Sequence, residues 1–402
     1  MNTGAVVVRV QTRASCCPQV TVENNRPTGL IEKLLQSDAH NVRRNVGMLY
    51  GLCPIAHLAA LDGSAATALV PPQLLRRAVT LEAVAENLRM FITAGADIAQ
   101  MPTDIAALRE LGGIRAVLMG VLAALISAPD KEALAKAEEG IVLAQSRLPA
   151  LFAHALLADS EAFLALECPA DFDAWLDAST SPARALLKAL NALPAHFGCV
   201  TVPFLPHGDA ALKETLLLAL SQDPSLEMNP RLAGKAALTG ALSRTHKVPL
   251  LQALVAERGV TPLTLTLARL RETLTLGAAL AAGNTAEEAL LNVTVFRTDS
   301  GSSITLVESA RGLLAHARGA TQHDGLPAFY RVTSPTEWQF AKAGAAQEAL
   351  ESALSCTPLP KEGEVAEQRA LASLTETALF GLDPCVPIQL FLDGRSVPLS
   401  RS

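Results

Sequence analysis

Hydrophobic positions recur along this chain with two different periods. Near the N-terminus, 5–10 and 19–22 are short β-rich runs separated by polar residues, which predicts a hairpin within residues 1–30. Segments 29–35 and 39–49 are short and amphipathic. A helix is expected from Cys53 to about Leu69, where Val70-Pro71-Pro72 stops it. The stretches 73–93, 104–128, 131–158, 182–193, 210–222, 231–245, 249–258 and 261–282 all repeat apolar residues at helical spacing. Several are apolar nearly all round, so they should be buried on more than one side. Near Asn292 the period changes to alternation. Strands are predicted at 292–297 and 303–307 around the turn Asp299-Ser300-Gly301. Helices return at 341–355 and 364–380, followed by a loop holding Cys385 and a short tail. The expected architecture is mainly α (α+β): one domain over 1–402 with a helical core at 53–291. A β-rich excursion follows at 292–340, and C-terminal helices at 341–402.

Composition narrows the function classes. Half of the residues are hydrophobic and only 4% aromatic, the make-up of packed helices with small interhelical residues. A net charge of −6, with no basic stripe, argues against a nucleic-acid partner. The most apolar run, 116–126, is flanked by Arg115 and Pro129 and is too short for membrane insertion. Ala5-Val6-Val7-Val8 is too short for the apolar part of a signal peptide. Seven cysteines, an odd number without disulfide spacing, fit a reducing, cytoplasmic setting. Cys16, Cys17, Cys168, Cys199 and Cys356 have no metal-ligand spacing. His154, His196, His207 and His246 each stand alone and read as structural.

Three stretches carry candidate chemistry. In Gly51-Leu52-Cys53-Pro54-Ile55-Ala56-His57, Pro54 suits a first helical position and makes Cys53 the N-cap. The helix dipole there favours a thiolate, and His57 falls on the same face. Such a pair suits a metal ligand with its supporting imidazole, a nucleophile with its base, or a buried cysteine beside a hydrogen-bonded histidine. Leu382-Asp383-Pro384-Cys385-Val386-Pro387 supplies a second cysteine in a loop. Between them, Arg311 precedes a glycine, and Pro335-Thr336 offers a hydroxyl and a backbone N–H. Taken singly, these pieces are better explained by an ordinary β-meander with an exposed arginine.

Taken together and in order, these stretches resemble the large subunit of nickel–iron hydrogenases. Val8-Arg9-Val10-Gln11 looks like that family's opening strand, with Gln11 in place of an acidic residue. Cys53 and His57 match the second cysteine and the histidine of C-x-x-C-x-x-x-H, while Tyr50 stands where the first cysteine would be. Glu308 to His316, with Pro335-Thr336 and Trp338, resembles E-x-P-R-G-x-x-x-H and P-[ST]-x-W, with Ala310 replacing the proline. Asp383-Pro384-Cys385 resembles the closing D-P-C-x-x-C-x-x-H, with Ile388 and Phe391 at the second cysteine and the histidine.

The resemblance implies a hydrogenase large-subunit-like bundle of long helices with small β-rich patches near the N-terminus and around 292–335. In that family four thiolates hold nickel, and two of them bridge to an iron carrying cyanide and carbon monoxide. Carried over residue by residue, Cys53 is a bridging-type and Cys385 a terminal-type ligand. Arg311 stands for the arginine that hydrogen-bonds one cyanide, and Pro335-Thr336 for the residues beside the other. Two of the four thiolates are missing, so no nickel is expected. The chain therefore resembles the HupK/HoxV type of hydrogenase maturation protein, a non-enzymatic scaffold for the Fe(CN)2(CO) unit. Implied partners are a HypC-type chaperone and the hydrogenase large-subunit precursor. A divergent hydrogenase and a metal-free docking protein are the alternatives.

Overall fold

The computed structural model describes residues 4–12, 18–37, 41–64, 70–126, 130–178, 181–360 and 364–400. The N-terminal hairpin forms as expected from β1 (Val6–Gln11) and β2 (Gln19–Asn24). Its inward valines, Val6, Val8 and Val10, are fully buried. The adjacent pair Cys16-Cys17 lies outside the described residues.

The second sheet is the predicted β-rich excursion: β3 (Val293–Arg297), β4 (Ser303–Ser309), β5 (Gly312–Arg318) and β6 (Tyr330–Thr333), antiparallel in that order. β4 is buried along its whole length, because the Pro54–Ser64 helix packs across β4 and β5. Gly63 permits that approach, since a Cβ there would stand 2.6 Å from Thr305 Cγ2. The helices Pro72–Met90 and Pro262–Ala281 pack together at the centre. Asn87 Nδ2 donates to Thr273 Oγ1 between them at 3.1 Å. Helix starts at 131, 182 and 210 fall where expected because Asp130, Ser181 and Asp209 each accept a first-turn N–H. Such a cap contributes ~1 kcal/mol.

The structure corrects several boundaries. Residues 131–158 form two helices, Lys131–Gln145 and Leu148–Ala155, with Pro149 opening the second. Of 231–245 only Ala241–Thr245 is helical, because Gly234 and Gly240 take positive φ values (76° and 120°) that a helix cannot hold. Ser160–Leu164 and Pro169–Ala178 are helices that the pattern does not announce. The largest difference is at the C-terminus. In place of a tail, β7 (Ile388–Leu392) and β8 (Arg395–Val397) extend the N-terminal sheet in the order β2-β1-β7-β8. β7 runs parallel to β1, pairing Val6 with Ile388 and Arg9 with Phe391. Asp393 locks the join, accepting from Thr12 N at 2.9 Å and Thr12 Oγ1 at 2.8 Å. The loop that carries Cys385 is thereby pinned beside the N-terminal strand. Among the described residues no helix is long and apolar enough to cross a membrane.

Candidate functional site

Cys53 directly precedes the Pro54–Ser64 helix, and its carbonyl accepts the His57 N–H at 3.2 Å. The first free N–H groups of that helix do not serve its sulfur. Glu82, from the central Pro72–Met90 helix, accepts from Ile55 N at 2.7 Å and Ala56 N at 3.0 Å. The expected thiolate is therefore overturned. Desolvation, Cys385 and Glu82 push the Cys53 thiol up, while Arg311 and Arg26 only partly oppose them. Burial also pushes the Glu82 carboxyl up to about 8, against the pull of its two backbone donors.

Cys385 arrives from the far end of the chain in a turn where Asp383 takes φ 41°. The hydroxyl of Thr336 fixes it from two directions. Cys385 N donates to Thr336 Oγ1 at 3.2 Å, and the same oxygen lies 3.1 Å from the Cys385 sulfur. Thr336 and Pro335 are held in turn by a short helix, Pro335–Gln339, opened by a capping box between Ser334 and Glu337.

Arg311 sits at the β4–β5 turn and is buried, not exposed. Gly312 makes that turn with φ 135°, where a Cβ would meet Thr239 Cγ2 at 2.5 Å. Arg311 Nε donates to the Asp383 carbonyl at 2.9 Å and lies 3.1 Å from its carboxylate; Nη2 lies 3.5 Å from Glu86. Burial works against the Arg311 charge. Asp383, Glu86, Cys385 and Cys53 more than offset it, and hold its pKa above the usual value. Burial likewise raises Asp383, but Arg311, Arg269 and Arg89 prevail and keep it below the ordinary carboxylate range. The sequence suggests Arg311 as the sole cation beside the cysteines; Arg26 is a second. It donates to Ser334 Oγ and Glu337 Oε1, both at 2.7 Å; burial works against its charge, and Glu337 is the first group that sustains it.

His57 does not act as a free base for Cys53. Its Nδ1 lies 3.0 Å from His316 Nε2, and His316 Nδ1 lies 3.0 Å from the Tyr330 hydroxyl. Tyr50 stacks on His57 with ring centroids 3.5 Å apart. Burial lowers both histidines, His316 to about 3, so the relay is a neutral one. His207, read from the sequence as isolated, pairs with Glu308, which also takes Arg244 Nη1 at 2.7 Å. Arg244 makes a two-pronged contact with Glu272 at 2.7 Å per bond.

The geometry thus assembles Cys53, Cys385, Arg311 and Thr336, with Arg26, Glu82, Glu86 and Asp383 around them. Among the described residues, no group of three or more His, Cys, Asp or Glu side chains is arranged to hold a metal. Gln11 ends β1 on the exposed surface. Glu82 and Glu86 escape the sequence reading. The available signal was two carboxylates four residues apart, hence on one face of the helix.

No protein-family model matches the chain. The hydrogenase expression/formation protein HupK of Rhizobium leguminosarum bv. viciae is 26% identical over 392 residues, 97% of each chain. A nickel–iron hydrogenase that reduces NAD+, solved in its H2-reduced state, aligns with a TM-score of 0.52 at 15% identity, covering 92% of both chains. The chain has the nickel–iron hydrogenase large-subunit fold. It resembles HupK from end to end. Within this hydrogenase-type fold, the stretches around Cys53, Arg311, Thr336 and Cys385 converge although they are scattered along the sequence. Tyr50 is a ring stacked on His57, and Ile388 and Phe391 are residues of β7.

Proposed function

We propose that this chain is a hydrogenase formation protein, not an enzyme, which holds an Fe(CN)2(CO) cargo between Cys53 and Cys385 in the cytoplasm. One observation carries the reading. Two thiols from opposite ends of the chain share an electrostatic environment with Arg311, which is buried, and Arg26, which is half-buried, in a fold also found in a nickel–iron hydrogenase. The donor set suits the cargo. Low-spin iron with diatomic ligands prefers soft thiolates. Two cyanides cancel the Fe(II) charge, so two thiolates would add about two negative charges to a desolvated site. Arg311 and Arg26 are the compensating cations. Thr336 Oγ1, already accepting the Cys385 N–H, has its own proton to offer to sulfur or to a cyanide nitrogen. A nickel ion would need further thiolates, which Tyr50 and Ile388 cannot supply. The partners that fit are a HypC-type chaperone as donor and the large-subunit precursor as acceptor.

The test is anaerobic co-expression with the iron-assembly machinery, then metal analysis of the purified protein. Iron without nickel is expected in the wild type. It should be lost in Cys53→Ala and Cys385→Ala and kept in Cys168→Ala and Cys199→Ala. Equal loss at all four positions would mean that folding damage, not a metal site, explains the result.

A further inference from the structure

Cys53 and Cys385 are each half-buried between packed helices and strands, so a cargo has to reach them through an opening. A cleft of about 320 Å³ opens beside Cys385. That is many times the ~10–15 Å³ that admits one water. Met90, Leu379 and Phe380, each buried, line it together with Cys385. Its rim carries Pro387, which is exposed, and Arg89. Leu52, next to Cys53, lines the cleft, but Cys53 itself does not. One wall is the segment from Pro384 to Leu399, held from behind by the pairing of β7 with β1.

We propose that this cleft is the port through which the cargo reaches and leaves the site, and that Cys385 is the first thiol it meets. The inference rests on the cargo reading above. The chemistry of the walls supports it. An Fe(II) unit with two cyanides and one carbonyl is neutral, so a throat lined mostly by apolar residues, with Arg89, Glu376 and Asp383 as its charged members, does not oppose its passage. Negative charge appears only as thiolates bind, and the cations that compensate it, Arg311 and Arg26, are placed at the cysteines and not along the walls. On capture from a donor thiolate, the iron–sulfur bond to Cys385 forms as the bond to the donor breaks. The Cys385 proton leaves with the departing donor sulfur. Cys53 then forms the second iron–sulfur bond as the remaining donor ligand leaves the iron, and the Cys53 proton departs with that ligand.

Alkylation of the metal-free full chain with iodoacetamide, read by peptide mass spectrometry, tests access without iron. Cys385 is expected to label before Cys53. Ala94→Trp, which projects a ring into the cleft, should slow Cys385 labelling at least about tenfold. Leu399→Ala, which trims the wall, should speed it and guards against a folding failure of the larger substitution. Cys53 labelling first, or a Cys385 rate unchanged in Leu399→Ala and in a folded Ala94→Trp, would overturn the port. A wild type without bound iron after co-expression would instead sink the cargo reading and leave the measured access order standing.

Discussion

Thr336 Oγ1 stands 3.1 Å from the Cys385 sulfur while accepting the Cys385 backbone N–H at 3.2 Å. One hydroxyl therefore sets both the backbone of the Cys385 turn and the surroundings of its sulfur. Replacing it with Val leaves a part-buried N–H without its acceptor. Thr336→Val should cost ~1–3 kcal/mol of stability and weaken iron retention, while Thr336→Ser should keep both. Denaturant midpoints and iron content of the three proteins check this.

Arg311 compensates charge whether or not cargo is bound, because Asp383 and Glu86 already flank it. Arg311→Leu should destabilise the protein by ~3–5 kcal/mol, since it leaves buried carboxylates unpaired. Arg311→Lys keeps the charge but loses the planar fork, and should fall between Leu and wild type. Arg26→Met should hold the fold better than Arg311→Leu, because Arg26 is more exposed, yet still lower iron retention. Stability of wild-type rank in Arg311→Leu would contradict the arrangement.

These predictions also mark how far the sequence could be read. Cys53, Cys385, Arg311 and Thr336 stand out in the sequence only through the joint order of their short motifs, each of which is weak alone. Glu82 and Glu86 do not stand out, because their role depends on which face of a central helix meets the start of another. The end of the chain was misread for a similar reason. Ile388–Leu392 becomes a strand only by pairing with Val6–Val10, and no local signal announces a partner at the opposite terminus. The 231–240 segment shows apolar recurrence, but Gly234 and Gly240 decide its path.

Glu82 gives a pH dependence of definite sign. Its carboxyl has an ordinary value of 4.5 and is pushed up to about 8 in the fold. The folded state holds this proton longer than the unfolded one. Its contribution is complete below about 4.5 and drains away as pH rises through about 8. Glu82→Gln, which stays neutral and keeps an acceptor for the helix N–H groups, should lose less stability than wild type between pH 5 and about 8. Urea midpoints across that range measure the difference. Parallel curves would show that Glu82 is ionised throughout.

His316 acts on the acid side with the opposite slope. Burial lowers it from 6.5 to about 3, so its contribution is complete above 6.5 and lost as pH falls toward 3. His316→Gln should start lower, by ~1–3 kcal/mol for the broken links to His57 and Tyr330. It should then decline less steeply on acidification. Thermal or urea unfolding between pH 4 and about 7 reads this.

The most direct measurement is infrared spectroscopy of the protein purified anaerobically after co-expression with the iron-assembly machinery. Cyanide and carbonyl stretching bands should appear in the wild type and vanish in both Cys53→Ala and Cys385→Ala. In Arg311→Lys the cyanide bands should shift but remain. A wild-type spectrum empty in both regions, or bands that persist when both cysteines are replaced, would contradict a two-thiolate iron cargo.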